Sequence, residues 1–219
     1  MKAKAQLLMR QKDLNLRGEI LEMVVWKVPE PVPPSAHRFK YRLVYIRDGR
    51  RIVGFDNERG KGDHMHVENM EFPYTFRTMQ HAGRFSGASG KTESSDMRTL
   101  TITADADWKA VLRAAGARAQ QAVDSGEYQG EALNFSTPAA FFSHLTANRW
   151  NMLHALLGGD AVGVRELARR LGRDVKRVHE DAAALVELGL VEKDTRGTLR
   201  CPYEHIHVDM TLAPLQKVA

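Results

Sequence analysis

The most regular hydrophobic pattern of the chain lies between Gly163 and Leu190. Apolar residues first recur three and four positions apart, which predicts a short amphipathic helix that ends at Gly172. After Asp174, a residue type favoured at helix N-caps, a second stripe of the same period runs to Gly189. Two helices separated by one short turn, with a face rich in cations, are typical of a DNA-binding helix-turn-helix.

A β-hairpin is predicted directly after this helix pair, because residues 191–194 and 198–201 flank the turn Thr195-Arg196-Gly197. A hairpin in this place is the wing of a winged helix-turn-helix, which we place at about residues 147–201. We expect Lys176, Arg177 and Glu180 to reach base edges, because they open the second helix on its polar side. The full set of residues expected to contact DNA is Arg165, Arg169, Arg170, Arg173, Lys176, Arg177, Glu180, Lys193 and Arg196.

The N-terminal part shows the period of two that is typical of strands. Glu19 to Val28 and Phe39 to Tyr45 are rich in β-branched and aromatic residues, and the proline-dense segment Pro29 to Ser35 between them predicts a stiff loop. Asp48-Gly49 then predicts a tight turn into a strand at Arg51 to Phe55. These elements predict an antiparallel meander.

The pattern dissolves in residues 79–96, whose Gly and Ser content predicts a flexible linker. A strand follows at Met97 to Thr103, and then a helix capped by Asp105, whose weakly apolar face includes Trp108 and calls for burial by a partner. The strand His205 to Met210 is expected to pair with the strand at Met97. We therefore predict an α+β protein with a small antiparallel-sheet domain (1–78), a linker (79–96) and a winged helix-turn-helix domain (97–219).

Composition narrows the class of protein. No apolar run approaches the length of a membrane span, the N-terminus lacks the apolar centre of a signal peptide, and we expect a cytoplasmic protein. The single cysteine, Cys201, excludes an intrachain disulfide and a thiolate zinc cluster. Residues 1–96 hold 17 Lys and Arg against 12 Asp and Glu, whereas residues 97–219 hold 15 of each. The second part is thus basic only locally, which favours a focused DNA-binding face over a general polyanion-binding surface.

The polar segment Asp56 to Val67 contains the candidate chemistry of the first part. His64 and His66 lie two positions apart, so they share one face of a strand, and imidazoles exchange protons near neutral pH. With cations to hold a phosphodiester, these are the parts of a metal-free ribonuclease. The candidate catalytic residues are Asp56, Arg59, Lys61, His64 and His66.

Two alternatives stand beside this hypothesis. The aspartate, asparagine and glycines of the segment also suit a plain turn that carries exposed polar histidines. A metal site needs at least a third ligand besides the two histidines, for which Asp63 or Asp56 qualifies. The hypothesis retained here involves no metal and no cofactor.

The second part of the chain, residues 97 to about 212, resembles the TumA-like winged-helix antitoxins. The resemblance rests on an opening strand MRTLTI, the segment Gly126-Glu127-Tyr128 after a helix, the helix pair that begins RELARRLGRDVKRV, and a closing strand PYEHIHVDMTL. It implies a winged-helix DNA-binding protein that represses its own promoter.

The first part, residues 1 to 76, resembles the TumE family of small bacterial toxins. The motifs are VWKVPEP at Val25, HRFKYRL at His37 and above all GFDNERGKGDH at Gly54, followed by His66. In that family a C-terminal helix follows PYTF, whereas HAGRFSGASGKTESS stands here, so the helix is expected to be missing.

Together the two resemblances imply a toxin and its antitoxin in one polypeptide. The implied function is a DNA-binding antitoxin and autorepressor fused to a toxin-like domain. In this interpretation the antitoxin part, or its dimer, covers the loop from Asp56 to His66 and silences it. One alternative is a ribonuclease-type toxin held inactive by its own C-terminal domain; another is a plain winged-helix transcriptional regulator. The expected partners are double-stranded DNA of the chain's own operator, RNA for the N-terminal domain, and a second copy in a homodimer, with no membrane.

Overall fold

A computed structural model describes residues 4–15, 17–74 and 98–211. The strands are β1 (Gln6–Leu14), β2 (Ile20–Lys27), β3 (Phe39–Arg47), β4 (Arg50–Glu58), β5 (Gly62–Val67), β6 (Met70–Pro73), β7 (Thr99–Ala104), β8 (Glu131–Phe135), β9 (Glu192–Lys193), β10 (Leu199–Arg200) and β11 (His205–Asp209). The helices are α1 (Trp108–Ser125), α2 (Pro138–His144), α3 (Ala147–Leu156), α4 (Val164–Leu171) and α5 (Val175–Leu188).

Strands β1 to β6 form an antiparallel meander, which confirms the fold expected for the first part. The turn between β3 and β4 is built by Asp48 and Gly49, both with positive φ. Two such residues in succession match the right-handed twist of the flanking strands, which explains why this dipeptide closes the hairpin. The meander thereby places β4 and β5, the strands of the candidate site, next to each other.

The sheet does not end with the meander. Its nine strands run in the order β11-β7-β8-β1-β2-β3-β4-β5-β6, and β8 pairs in parallel with β1 from Arg10↔Glu131 to Leu14↔Phe135. The expected pairing of the last strand with the strand after Met97 is confirmed, with β11 parallel to β7. The sequence predicted two separate units, whereas strands of both parts share one sheet. The linker predicted at 79–96 lies outside the described residues.

Helix α1 packs on this shared sheet with its alanine face. Ala115, Ala119 and Ala122 are buried, and their small side chains let the helix lie close to the apolar residues of β1, β2 and β3. Strands of the same chain therefore bury the alanine part of this helix face. The N-cap expected at Asp105 is Asp107 instead, because Asp107 accepts the hydrogen bond from the Ala110 amide. Trp108, on the same face, is 62% exposed, so its burial by a partner chain stays a prediction.

Helices α2 to α5 and the two-stranded sheet β9–β10 pack around a second apolar core. The predicted caps of the helix pair are confirmed: Asp174 accepts a hydrogen bond from the Arg177 amide, and Gly172 and Gly189 end the helices in the left-handed conformation. An isolated antiparallel bridge joins Val162, which precedes α4, to Leu199 in β10. Among the described residues no helix is both long and apolar enough to span a membrane.

A buried carboxylate joins the two parts of the sheet. Glu131, at the start of β8, is 1% exposed and accepts hydrogen bonds from Arg98 at 2.7 and 3.0 Å. The hydroxyl of Tyr203 donates to it at 3.0 Å, and Arg10 of β1 lies 3.7 Å away. Arg98 also donates to Glu192 of β9 at 2.8 Å, so one charge network contacts the meander, the parallel strands and the hairpin.

We expect Glu131→Gln to lower the free energy of unfolding by about 3 kcal/mol, because the change removes the buried negative charge that Arg98 and Arg10 contact. Urea unfolding at pH 7 measures the difference. The matched control is Glu127→Gln, an exposed glutamate on the same connection, which should change stability by less than about 0.5 kcal/mol. Equal losses in the two variants would show that the network does not hold the sheet together.

Candidate functional site

The β4–β5 hairpin brings three of the five candidate catalytic residues together. Asp56 lies directly opposite His64 in the strand register, and Gly54 lies opposite His66. Alternation along β5 puts both histidines on one face, as expected from their spacing. Because Asp56 projects from the same face of β4, one carboxylate and two imidazoles meet there.

The distances within this cluster are short. The Nε2 atom of His64 lies 2.6 Å from Oδ1 of Asp56, and Nε2 of His66 lies 3.8 Å from the same oxygen. The two rings contact edge to face with centroids 4.7 Å apart. His64 is 4% exposed, so the alternative in which both histidines are exposed polar residues of a turn does not describe it.

The second nitrogen of His64 is also engaged, since Nδ1 lies 2.9 Å from the carbonyl oxygen of Gly62. A ring nitrogen beside a carbonyl acts as the donor, which assigns a proton to Nδ1. Nε2 then faces Asp56 with its lone pair unless it carries a second proton or binds a cation. Burial lowers the pKa of the neighbouring His66, and the nearby Arg51 lowers it further, so the uncharged imidazole is favoured there.

The two candidate cations are not part of the cluster. Nζ of Lys61 lies 2.9 Å from Oε2 of Glu71 and 3.9 Å from Glu58, and the hydrogen bond to Glu71 raises the pKa of the lysine. Lys61 is thus engaged by carboxylates rather than free to hold a phosphodiester. Arg59 is exposed in the turn between β4 and β5.

A second polar cluster lies on the opposite face of the hairpin and was missed by the sequence analysis. Asp63 accepts hydrogen bonds from Ser35 at 3.1 Å and from the hydroxyl of Tyr41 at 3.1 Å, and Nε2 of His37 lies 3.2 Å from it. Burial and this carboxylate raise the pKa of Tyr41. Asp63 lies between His64 and Gly62 in sequence, and strand alternation alone indicates that it projects away from the histidines; the proline loop that brings Ser35 gives no such signal.

The neighbouring Asn57 has a structural role. It is 2% exposed, accepts a hydrogen bond from the Tyr41 amide at 3.1 Å and donates to the Phe39 carbonyl at 2.8 Å. It therefore satisfies the backbone of β3 beside the site. The turn alternative assigned Asn57 to a loop, whereas it belongs to β4.

The candidate DNA-contacting residues of α5 lie on its open face. Val178, Ala182, Leu185 and Leu188 are buried, and Lys176, Arg177 and Glu180 are exposed on the other side. Arg177 lies 3.5 Å from Glu180 on the same face. The predicted first turn of the second helix is thus open to a partner.

Three more of the predicted arginines have intramolecular partners. Arg173 donates to Asp181 at 2.7 Å, and Arg149 binds the same carboxylate at 3.0 Å, so Arg173 joins the turn to the middle of α5. Arg169 and Arg170 both donate to Glu166 on α4, and these hydrogen bonds lower the pKa of Glu166 to about 2. Because Glu166 offsets part of their charge, Arg169 and Arg170 present less net positive charge to a DNA partner than the sequence indicated.

The remaining cations are exposed and form no ion pair among the described residues. These are Arg165 at the start of α4, Lys176 on α5, Lys193 on β9 and Arg196 in the turn that follows it. Arg196 is held in this turn by Asp194, whose carboxylate accepts hydrogen bonds from the backbone amides of Arg196 and Thr198. The hairpin turn is thus ordered by its own backbone contacts, while its cation stays available.

A cleft between the two parts of the chain was also missed. Its cavity volume is about 590 Å³, and it lies at the carboxyl ends of the parallel strands β1, β7 and β8. Ligands of open parallel sheets commonly bind at that end. The lining includes Asp13, Asn134 and Trp108, which come from segments far apart in the sequence. No local motif could have indicated it.

Residues 5–84 match the family model described as toxin TumE. Residues 144–208 match the family model HVO_A0114, a description that states no activity. The comparisons with curated proteins and with solved structures found no match. The first part of the chain is therefore a TumE-type toxin domain, whereas the antitoxin resemblance of the second part stays a prediction.

We expect Asp13→Asn to stabilise the protein by about 2–3 kcal/mol above pH 7, with little effect at pH 3.5. Burial raises the pKa of Asp13 from 3.8 to about 6, so the folded protein disfavours the ionised carboxylate. The stability contributed by the protonated form is complete below pH 4 and is lost as the pH rises through 6. Urea unfolding at intervals from pH 3.5 to 8 measures the effect.

The control for this change is Asp160→Asn, because Asp160 is exposed between α3 and α4. Its stability difference from the wild type should not vary over the same pH range. A constant difference for Asp13→Asn would contradict a raised pKa.

Proposed function

We propose that residues 147–201 form a winged helix-turn-helix that binds double-stranded DNA. Through it the chain acts as an autorepressor and antitoxin fused to a toxin-like domain. The observation that carries the proposal is the open face of α5, which presents Lys176 and Arg177 beside a hairpin whose turn carries Arg196. A helix with an exposed cationic first turn suits the major groove, and a neighbouring hairpin suits the adjacent phosphates.

The order of elements supports this proposal. A winged helix-turn-helix consists of three helices and a small sheet, in which a segment before the second helix pairs with the last strand of the hairpin. Helices α3, α4 and α5 are followed by β9 and β10, and Val162 before α4 pairs with Leu199 of β10. The ion pairs of Arg149 and Arg173 with Asp181 fix α5 relative to α3 and the turn.

The toxin domain gives this DNA binding a context. The match of residues 5–84 to toxin TumE associates the chain with toxin–antitoxin systems. An antitoxin that represses its own promoter would bind operator DNA of its own gene, and a homodimer would match a palindromic operator. We extend both expectations to this chain.

The contacts between the two parts indicate how the toxin domain is held. The main contacts join β8 and α1 of the second part to β1, β2 and β3 of the first. Strand β1 is three positions away from β4 in the sheet order, so within one chain these contacts do not cover the loop from Asp56 to His66. Coverage of the loop by a dimer stays a prediction. We infer that the second part restrains the toxin domain by occupying the edge of β1.

We expect Lys176→Ala and Arg177→Ala each to weaken binding to duplex DNA from the chain's own promoter about tenfold or more at 0.1 M salt, because each removes a groove contact. Fluorescence anisotropy over a range of salt concentrations measures the affinity for DNA and how steeply this affinity falls with salt concentration. Arg113→Ala is the matched control, since Arg113 is exposed on α1 outside the proposed face. Equal affinities for Arg177→Ala and Arg113→Ala would remove α5 from the recognition role.

RNA cleavage by the toxin domain is a second candidate function. The observation that favours it is the convergence of Asp56, His64 and His66 on one face of the β4–β5 hairpin. A carboxylate that orients an imidazole is a common arrangement for proton transfer. Arg59, three positions after Asp56, is an exposed cation in the neighbouring turn.

We expect expression of residues 1–96 to arrest growth, and co-expression of residues 97–219 to restore it by occupying β1. Asp56→Asn in residues 1–96 should abolish the arrest because it removes the shared carboxylate. Glu68→Gln, at an exposed position in the turn after β5, is the control and should arrest growth like the wild type. Growth without arrest from soluble, folded wild-type residues 1–96 would contradict toxin activity.

A further inference from the structure

We propose that Asp56, His64 and His66 form a binding site for a divalent transition-metal cation of the Zn²⁺ class. The proposal concerns the toxin domain and does not depend on DNA binding by α5. With a metal bound, the cluster is a site with three protein ligands rather than the metal-free proton-transfer group of the second candidate function. Each residue contributes one atom: Oδ1 of Asp56 and the Nε2 atoms of the two histidines.

The positions of these atoms suit one cation. All three lie within 4.8 Å of one another. Ligand atoms of a tetrahedral zinc ion, each about 2.0–2.1 Å from the metal, lie about 3.3 Å apart. The observed separations from the Asp56 oxygen, 2.6 Å to His64 and 3.8 Å to His66, lie on either side of that value. Shifts of less than 1 Å would therefore bring the three atoms around a single ion.

One oxygen of the Asp56 carboxylate lacks a hydrogen-bond donor within the described residues. Its Oδ1 atom is buried and has no hydrogen-bond partner within the described residues, although two imidazole nitrogens lie close to it. A buried carboxylate oxygen without a donor is costly, and a bound cation satisfies it directly. This oxygen points to a ligand independently of the spacing of the three residues.

The surroundings of His64 favour metal binding over a simple ion pair. Nδ1 lies 2.9 Å from the Gly62 carbonyl, which is the contact that commonly orients a metal-binding histidine and leaves its Nε2 lone pair free. Without a cation, Nε2 must carry a second proton to donate to Asp56. With a cation, both nitrogens are satisfied in the neutral ring.

Ligand type and number indicate the class of metal. Two imidazoles and a carboxylate suit zinc and its first-row neighbours, whereas calcium and magnesium prefer ligands that are all oxygen. Three protein ligands leave a fourth position for water, as in catalytic zinc sites. The charges around the cluster are Arg51, which disfavours a cation, and the Lys61–Glu71 pair, in which Glu71 offsets the lysine.

The test uses the untagged full chain, stripped with a chelator and titrated with ZnCl₂ in a calorimeter, with CoCl₂ absorption as a second readout. We expect one equivalent of tight binding per chain and a tetrahedral Co²⁺ spectrum. Asp56→Asn, which preserves the shape of the side chain, should weaken binding at least about tenfold. His66→Gln provides a second variant if Asp56→Asn does not fold, as judged by circular dichroism.

The matched control is His207→Ala. His205 and His207 repeat the two-residue spacing on β11, but both are exposed and belong to no group of three ligands in the described part of the chain. The His207→Ala change should leave the Zn²⁺ affinity and the Zn²⁺-dependent rise in melting temperature unchanged. Binding below one fifth of an equivalent, or equal affinities for folded Asp56→Asn and His207→Ala, would overturn the proposal.

Discussion

The buried carboxylate of Glu131 is the contact on which the arrangement of the whole chain depends. It lies at the first residue of β8, where the parallel strands meet the meander, and Arg98 and Tyr203 reach it from either end of the second part. A buried charge is tolerated only when donors surround it, so the segments that carry these donors must keep fixed positions. Because Arg98 also binds Glu192, the hairpin beside α5 is oriented by the same charge that joins the sheet.

Strand β1 depends on both parts of the chain. One of its edges pairs with β2 and the other with β8, while α1 packs against the buried Leu8 and Met9. An unpaired β1 would expose a row of backbone donors and acceptors next to an apolar face, which is the usual starting point for aggregation. Both edges of β1 are therefore paired only when β8 of the second part is in place. The candidate site lies on β4 and β5, away from the contact between β1 and β8. Pairing of β1 with β8 therefore leaves the site open to a ligand.

Local patterns predicted local structure well and long-range pairing poorly. The alternation of β3, the Asp48-Gly49 turn and the Asp174 cap have their causes within a few residues, and each was found from the sequence. The parallel pairing of β1 with β8 joins residues more than a hundred positions apart, and nothing in the periodicity of either strand indicates the partner. The difference between local and long-range features also holds for the candidate sites. The two-residue spacing of His64 and His66 was sufficient to place them on one face, but the pairing of Arg173 with Asp181 depends on how α4 and α5 pack.

Joining both parts in one polypeptide has a consequence for control. When two interacting domains are separate chains, their ratio follows synthesis and degradation, and dilution separates them. Here β8 meets β1 within a single molecule, so the ratio is always one to one, and the effective concentration of the contact does not change with expression level. Release of β1 is then a unimolecular opening whose equilibrium is set by conformational stability alone. Ligand binding or proteolysis would shift this opening, whereas a change in the amount of either part would not.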